Sequence, residues 1–301
     1  REDRYKPAKS EKTSKTGYNL KGGLSLTMAE GNTIFFNAGY NSRQPYLDNI
    51  FNRNTGFITE LVSPAVENEK ITSFEAGYQF KTNNFRANFN AYVTNWTDRT
   101  LSSFGTDDNG TPDDDQDDFD TTTLQRGITQ YHSGAELDVR YRATDWLSLR
   151  GFVSSGSWTY KGEAVVSTYN ADTNEQIGET STVNRDGIKV STAPQFTAGM
   201  GFDAKITTGL SIDARIKYRD NHYEFTDENT SIEDYKGDQL GSYALTNAGI
   251  TYRFSLGNSN RMTFRANMFN IFDKVYIQQT DRFGYYTTGG RTFNASMRYE
   301  F

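Results

Sequence analysis

At 301 residues the chain could hold two ordinary domains or a single large β domain. A mean hydropathy of -0.75 with 35% hydrophobic residues excludes a helical membrane protein, because no run approaches the roughly 20 apolar residues of a spanning helix. The net charge of -6 argues against nucleic acid as a partner, and the lack of Cys excludes disulfide and thiol-metal chemistry.

Aromatics nevertheless reach 14%, with 19 Tyr and 21 Phe, which disordered chains do not show. Five Pro among 26 Gly suit turn-rich β structure with little Pro in the strands. Outer-membrane barrels reconcile these numbers, since their lipid face is apolar while lumen and loops are polar. No charged-then-apolar leader opens the chain, so a secretion signal is expected to have been removed or to lie upstream.

Arg1 to Thr16 is charged and patternless and reads as loop. Leu20, Leu24, Leu26 and Met28 then recur at even spacing, Ala29 to Asn32 makes a tight turn, and Ile34, Phe36, Ala38 and Tyr40 lead back. A polar connection from Ser42 to Lys70 follows. Phe74, Ala76, Tyr78 and Phe80 form the next strand, Thr82 to Asn84 turns it, and Phe85, Ala87, Phe89, Ala91 and Val93 alternate against Arg86, Asn88, Asn90, Tyr92 and Thr94. A second long connection, about Arg99 to Thr123, carries the acidic run Asp107 to Asp120.

Leu137, Val139 and Tyr141 oppose Glu136, Asp138, Arg140 and Arg142, the turn is Ala143 to Asp145, and Leu147, Leu149, Gly151 and Val153 return. A third long connection spans about Lys161 to Ser191. Strands around Phe196 to Ile206 and Leu210 to Tyr223 meet at Thr207 to Gly209, and a fourth long connection reaches about Gly241. Tyr243 to Phe254 and Arg261 to Tyr276 join at Gly257 to Ser259, and a last loop from Gln279 to Gly290 feeds the closing strand Arg291 to Phe301. In that strand Phe293, Ala295, Met297, Tyr299 and Phe301 share one face, and Thr292, Asn294, Ser296, Arg298 and Glu300 share the other.

The pattern predicts an all-β chain of about eleven antiparallel strands whose connectors alternate short and long. Barrels of the outer membrane have short periplasmic turns and long outer loops, whereas a soluble propeller or sandwich gives no reason for strict alternation. Counting back from a periplasmic C-terminus puts residues 1–17 in an outer loop. Bacterial barrels also have even strand numbers. Residues 18–301 are therefore expected to be the C-terminal half of a longer transmembrane barrel, with Met297 and Ala295 in the bilayer and Arg298 and Asn294 facing the lumen. Several strands exceed the roughly 9 to 11 residues needed to cross and should project above the membrane.

Candidate sites lie in the connections. Asp107, Asn109, Asp113 and Asp115 could supply oxygen ligands to Ca²⁺, against the alternative of a solvated, self-repelling loop. Tyr46, Phe51, Tyr235, Tyr285 and Tyr286 could stack on a sugar or catechol, and Arg282 could meet an anion, against loop self-packing or a headgroup girdle. Trp96, Trp146 and Trp158 lie near strand ends, as interfacial belts require. His132 and His222 are too far apart in sequence for a simple metal pair. His132 next to Ser133 suggests a barrel hydrolase only weakly, because neighbours on a strand point oppositely and no third group is evident.

Four stretches resemble one family, the TonB-dependent receptors. Asn267-Met-Phe-Asn-Ile-Phe-Asp-Lys-Val-Tyr276 is similar to its near-terminal Asn-Leu-Phe-Asp-x-x-Tyr segment, and Gly290-Arg-Thr-Phe293 leading to Phe301 to its closing strand. Ser73-Phe-Glu-Ala-Gly-Tyr78 with Asn90-Ala-Tyr-Val-Thr-Asn-Trp-Thr-Asp98 resembles a family hairpin, and Gly134-Ala-Glu-Leu-Asp138 a strand opening. The resemblance implies a 22-stranded Gram-negative outer-membrane barrel around an N-terminal plug, no enzymatic activity, no required cofactor, and contact with TonB through the plug region. It implies loops outside and the C-terminus in the periplasm, with a ferric siderophore favoured as cargo and cobalamin, haem or a glycan as alternatives. Phe293, Met297, Tyr299 and Phe301 resemble the signal read by the outer-membrane assembly machinery, and a surface lipoprotein is a further expected partner. The rival readings are a passive channel or adhesin barrel and, more distantly, the barrel hydrolase.

Overall fold

The computed structural model describes residues 11–301 apart from 55, 56, 63, 114, 228, 258 and 259; the expectations for residues 1–10 and for Asn258 and Ser259 in the last short turn lie outside the described residues. Strand β1 (Asn19–Ala29) turns through Glu30 and Gly31 into β2 (Asn32–Arg43). The first long connection holds a short helix α1 (Leu47–Ile50) and a hairpin of β3 (Phe51–Asn54) and β4 (Phe57–Leu61) before β5 (Glu69–Lys81) descends. β6 (Phe85–Asp107) and β7 (Phe119–Arg142) form one tall hairpin, followed by β8 (Leu147–Lys161). The next connection is the hairpin of β9 (Glu163–Asn170) and β10 (Gln176–Asn184), and then come β11 (Phe196–Lys205) and β12 (Leu210–Asp220). β13 (His222–Tyr223) pairs with β14 (Gln239–Leu240), and β15 (Tyr243–Ser255) and β16 (Arg261–Phe269) follow. The last connection carries β17 (Ile277–Asp281) and β18 (Gly284–Thr287), and the chain closes on β19 (Thr292–Glu300).

One antiparallel path, β1-β2-β5-β6-β7-β8-β11-β12-β15-β16-β19, joins eleven strands in chain order. This is the count that the alternation predicts. Among the described residues β1 pairs only with β2 and β19 only with β16, so the sheet is open and its closing strand does not meet Asn19–Ala29.

Register carries each face from strand to strand. Leu26, Ile34, Tyr78, Phe89, Leu137, Val153 and Ala198 are successive partners. On the far side Ile212, Ile250, Ala266 and Ala295 continue the same face. Its side chains, among them Leu24, Phe74, Phe89, Met200, Ile250 and Met297, are exposed, which suits lipid rather than water. The opposite face is polar: Asn90, Glu136 and Ser154 are successive partners, as are Asp213, Gly249, Asn267 and Asn294. At the short-turn end, rings of Phe80, Phe85 and Tyr141 lie 5.9 and 6.2 Å apart in sequence, and those of Tyr299 and Phe301 6.1 Å apart, forming an aromatic rim.

Several expected boundaries move. The connection placed at Arg99 to Thr123 is mostly strand, because β6 and β7 stay paired up to Asp107 and Phe119. The strand expected to reach Tyr276 ends at Phe269, and the strand expected to reach Tyr223 breaks at Asn221, which has a positive φ of 50°. The long connections fold into hairpins that dock on one another. β9 pairs with the top of β7, and Val62, Leu124 and Tyr169, from three different segments, form a buried cluster there.

The segment after β16 is a clip. Asn270 takes φ 50° and Asp273 φ 53°, left-handed values that Asn and Asp tolerate best among side-chain-bearing residues. The buried Asn270 amide donates to the carbonyls of Lys274 at 2.7 Å and Gly289 at 2.9 Å, while its oxygen accepts the Lys274 N–H at 3.2 Å. Asp273 accepts the Arg291 N–H at 2.7 Å, which starts β19.

Asn270→Ala leaves two carbonyls and an N–H without these partners and is expected to cost about 1–3 kcal/mol, read as a lower urea midpoint in lipid vesicles. In the same assay Phe89→Arg, on the lipid face, should cost about 2–4 kcal/mol if it lies near the midplane. Asn88→Lys, which faces Asp138 across the polar face, should stay within about 1 kcal/mol of the parent.

Candidate functional site

The polar face carries a cluster of cations and aromatics where β2, β5, β6, β7 and β8 rise towards the long connections. Arg43 and Glu69 are register partners, and their charged ends lie 3.5 Å apart. Glu69 is only 2% exposed, receives the Trp96 indole N–H at 3.1 Å and has the Arg99 guanidinium 4.0 Å away. Arg99 stacks over the Trp96 ring at 4.2 Å, and Arg43 lies over Tyr46 at 4.4 Å. Strict alternation would point Arg99 away from Trp96. The register shift between them, with Asp98 at φ 57° and held by Lys70 at 2.8 Å, brings both to one side.

The cluster continues onto β7 and β8. His132 stacks on Trp158 with ring centroids 5.5 Å apart, and the Trp158 indole N–H donates to the Tyr92 hydroxyl at 3.0 Å. Tyr92 can lie across the neighbouring strand because Gly134 has no Cβ, which would sit 2.6 Å from the hydroxyl. Ser133 faces the other side of the sheet from His132, so the pair makes no nucleophile and base. His222 is buried in the fourth connection with Nε2 3.0 Å from the Ser191 carbonyl.

This corrects the belt assignment for two tryptophans. Trp146 sits half exposed in a short turn, as a belt residue would. Trp96 and Trp158 instead share the polar face with Asn90, Tyr92 and Ser154, because each stands an even number of residues from those partners along β6 and β8. Arg43, Glu69 and Arg99 carry no motif, although the even spacing of Trp96 from Asn88 and Asn90 is a legible signal for its face.

The loop candidates fall on three connections. Tyr46 is exposed at the start of α1, while Phe51 is 9% exposed and packs within the first connection. The Tyr235 hydroxyl accepts the Lys189 N–H at 3.4 Å, and burial raises its phenol above the usual value. Arg282, Tyr285 and Tyr286 come together on the β17–β18 hairpin, with Phe283 at its tip, 88% exposed and absent from the sequence-based candidates. Asp281 shapes that tip: its carboxylate accepts the Tyr286 hydroxyl at 2.7 Å and the Phe283 N–H at 2.7 Å. These bonds hold its carboxyl below the ordinary value and raise the Tyr286 phenol. The Phe225 N–H donates to Thr280 at 2.6 Å, docking the fourth connection on the fifth.

In the acidic loop Asp107 accepts the Asn109 N–H at 2.9 Å, and Asp113 and Asp115 are exposed, while Asp114 lies outside the described residues. Asp117 accepts Thr111 at 2.7 Å and Asn109 at 3.2 Å, which lowers its carboxyl below the usual range. Among the described residues no group of three or more His, Asp or Glu converges to hold a metal ion.

The model of the family described as TonB dependent receptor-like, beta-barrel matches residues 2–271. This chain belongs to that family. Its polar face is therefore the barrel interior and its apolar face the lipid surface. A search of curated proteins finds no match. The fold is similar to that of the ferric-catecholate import receptor Fiu from E. coli K12, with a TM-score of 0.61 and 14% identity over 93% of this chain and 34% of that one. It is also similar to the copper transporter OprC, at TM-score 0.61 and 15% identity over 91% and 38%, and to the FrpB iron transporter from Neisseria meningitidis, at 0.59 and 13% over 94% and 39%. The chain thus spans 34 to 39% of the length of these solved structures.

Glu69→Gln removes the charge between Arg43 and Arg99. Arg43 is 30% exposed and so partly screened, and the expected cost is about 1–3 kcal/mol, below that of a fully buried pair. Hydrogen exchange should quicken around residues 41–43 and 96–99 while the short-turn rim stays protected.

Proposed function

We propose that the chain is the C-terminal half of a 22-stranded receptor barrel in a Gram-negative outer membrane, whose remaining strands and barrel-filling plug belong to a longer protein. The open edges at β1 and β19 would pair with those strands. The long connections would face outward, and the C-terminus the periplasm. Phe293, Met297, Tyr299 and Phe301 would carry the assembly signal. In this reading the chain performs no bond chemistry: it is wall and vestibule for a bulky nutrient, and TonB supplies force through the plug.

The observation that carries the reading is one uninterrupted path of eleven strands with a lipid face, a polar interior and a packed crown of connections. A ferric siderophore is the favoured cargo. The names of the similar solved structures, ferric-catecholate import receptor, iron transporter and copper transporter, support metal-bearing cargo over a glycan. Aromatics and cations at the outer end of the interior would suit an anionic, aromatic ligand.

The test is to express the full reading frame in a Gram-negative host lacking its own siderophore receptors. Growth on ferric siderophores under iron limitation should be restored when TonB is present and lost when it is deleted. Growth independent of TonB, with steady ion conductance of the purified protein in planar bilayers, would instead identify a passive channel.

A further inference from the structure

The interior face near the short turns carries a row of cations. Lys81 is the register partner of Arg86, Arg86 of Arg140, Arg140 of Arg150, Arg150 of Gly201, and Gly201 of Arg215. Each step advances one strand, about 4.8 Å, so the row extends about 24 Å around the wall. Like charges set directly opposite one another oppose pairing. Gly201 eases the crowding, since a Cβ there would lie 3.2 Å from Arg215 and 3.3 Å from the Arg150 guanidinium.

The chain itself supplies little neutralisation. Arg140 lies 3.9 Å from Asp138 and Arg150 3.3 Å from Asp203, and both pairs are exposed, where such pairs contribute little. Among the described residues Lys81, Arg86 and Arg215 have no carboxylate at ion-pairing distance. Arg265, on the same face, shows what a matched interior arginine looks like: Asp213 holds it through both oxygens, and Thr251 accepts from it at 2.8 Å. The row stands against a chain whose net charge is -6.

We propose that this row binds a carboxylate-bearing face of the domain that fills the barrel, an inference that rests on the receptor reading above. Guanidinium forks match carboxylates in paired hydrogen bonds, and the row is arginine at every charged position but Lys81. Its length, five cations over six neighbouring strands, fits a polypeptide surface better than a single small anion. It also sits beside the short turns, at the opposite end of the strands from the crown that would first meet cargo.

The test uses the full-length receptor in lipid vesicles. Lys81 offers an amine to zero-length carbodiimide coupling, and mass spectrometry should find it joined to an Asp or Glu of the interior domain. The double variant Arg140→Glu with Arg150→Glu should raise amide exchange in that domain at least tenfold and open a measurable conductance, whereas Arg140→Lys with Arg150→Lys, which keeps the charge but loses the paired hydrogen bonds, should raise exchange by less than the reversal does. Heat-modifiable gel migration checks that each variant folds, and if the reversal does not fold, the Lys81 coupling decides alone. Unchanged exchange and conductance in a folded reversal variant would overturn the proposal. So would loss of cargo uptake with the interior domain still protected, which would mark the row as a track for small anions. A parent protein that holds no interior domain and conducts steadily would refute the receptor reading itself, before any substitution is made.

Discussion

A backbone amide in hydrocarbon has no water to bond, so within the lipid band every N–H and C=O must find its partner on a neighbouring strand. The ladder here meets that demand from the β1–β2 pair to the β16–β19 pair. On the spanning path its register breaks lie at the turn end of β1 and at the level of Trp96 to Leu101, away from the middle of the band. Beside the second break stand charged side-chain pairs, Lys70 with Asp98 and Glu69 with Arg43 and Arg99. The strain of a left-handed Asp98 is thereby placed where polar partners are available, and it turns Arg99 onto Trp96. The same constraint that forbids irregularity in the lipid band thus concentrates it just above, where the candidate site is built.

The hydrophobic effect acts on the crown rather than on the spanning wall. Because lipid covers the apolar face, most of the large apolar side chains that bury themselves against protein among the described residues lie in the connections and the tops of the tall strands, among them Ile50, Val62, Leu124, Ile128, Tyr169 and Ile188. Connections of this length would be costly to order as separate flaps. The first and third connections share one small core with β7, at Val62, Leu124 and Tyr169. The β17–β18 tip is ordered differently, by hydrogen bonds to Asp281, which leaves Phe283 and Tyr285 outside. One crown therefore combines a packed base with exposed aromatic tips.

The near-terminal motif also acquires a physical meaning. Asn270 and Asp273 each accept a left-handed backbone and then use their side chains to tie the end of β16 to the start of β19. A segment that resembles a family signature is thus, in this chain, a device that ends one strand and aims the next.

Alternation of side chains along a strand is a local property, so the sequence by itself determined the eleven strands, the short turns, which residues face lipid and which face the interior. Phe89 and Met297 declare their face by spacing alone. What only the tertiary structure decided depends on register between strands distant in sequence. The meeting of Arg43 with Glu69, the rise of β6 and β7 as one hairpin on either side of the acidic run, where the sequence reads as a long connection, and the packing of Val62 against Leu124 and Tyr169 all belong here. So does the line of Lys81, Arg86, Arg140, Arg150 and Arg215: each is an unremarkable polar-face residue on its own strand, and only the cross-strand hydrogen bonds, by setting which residue stands opposite which, bring them into one row.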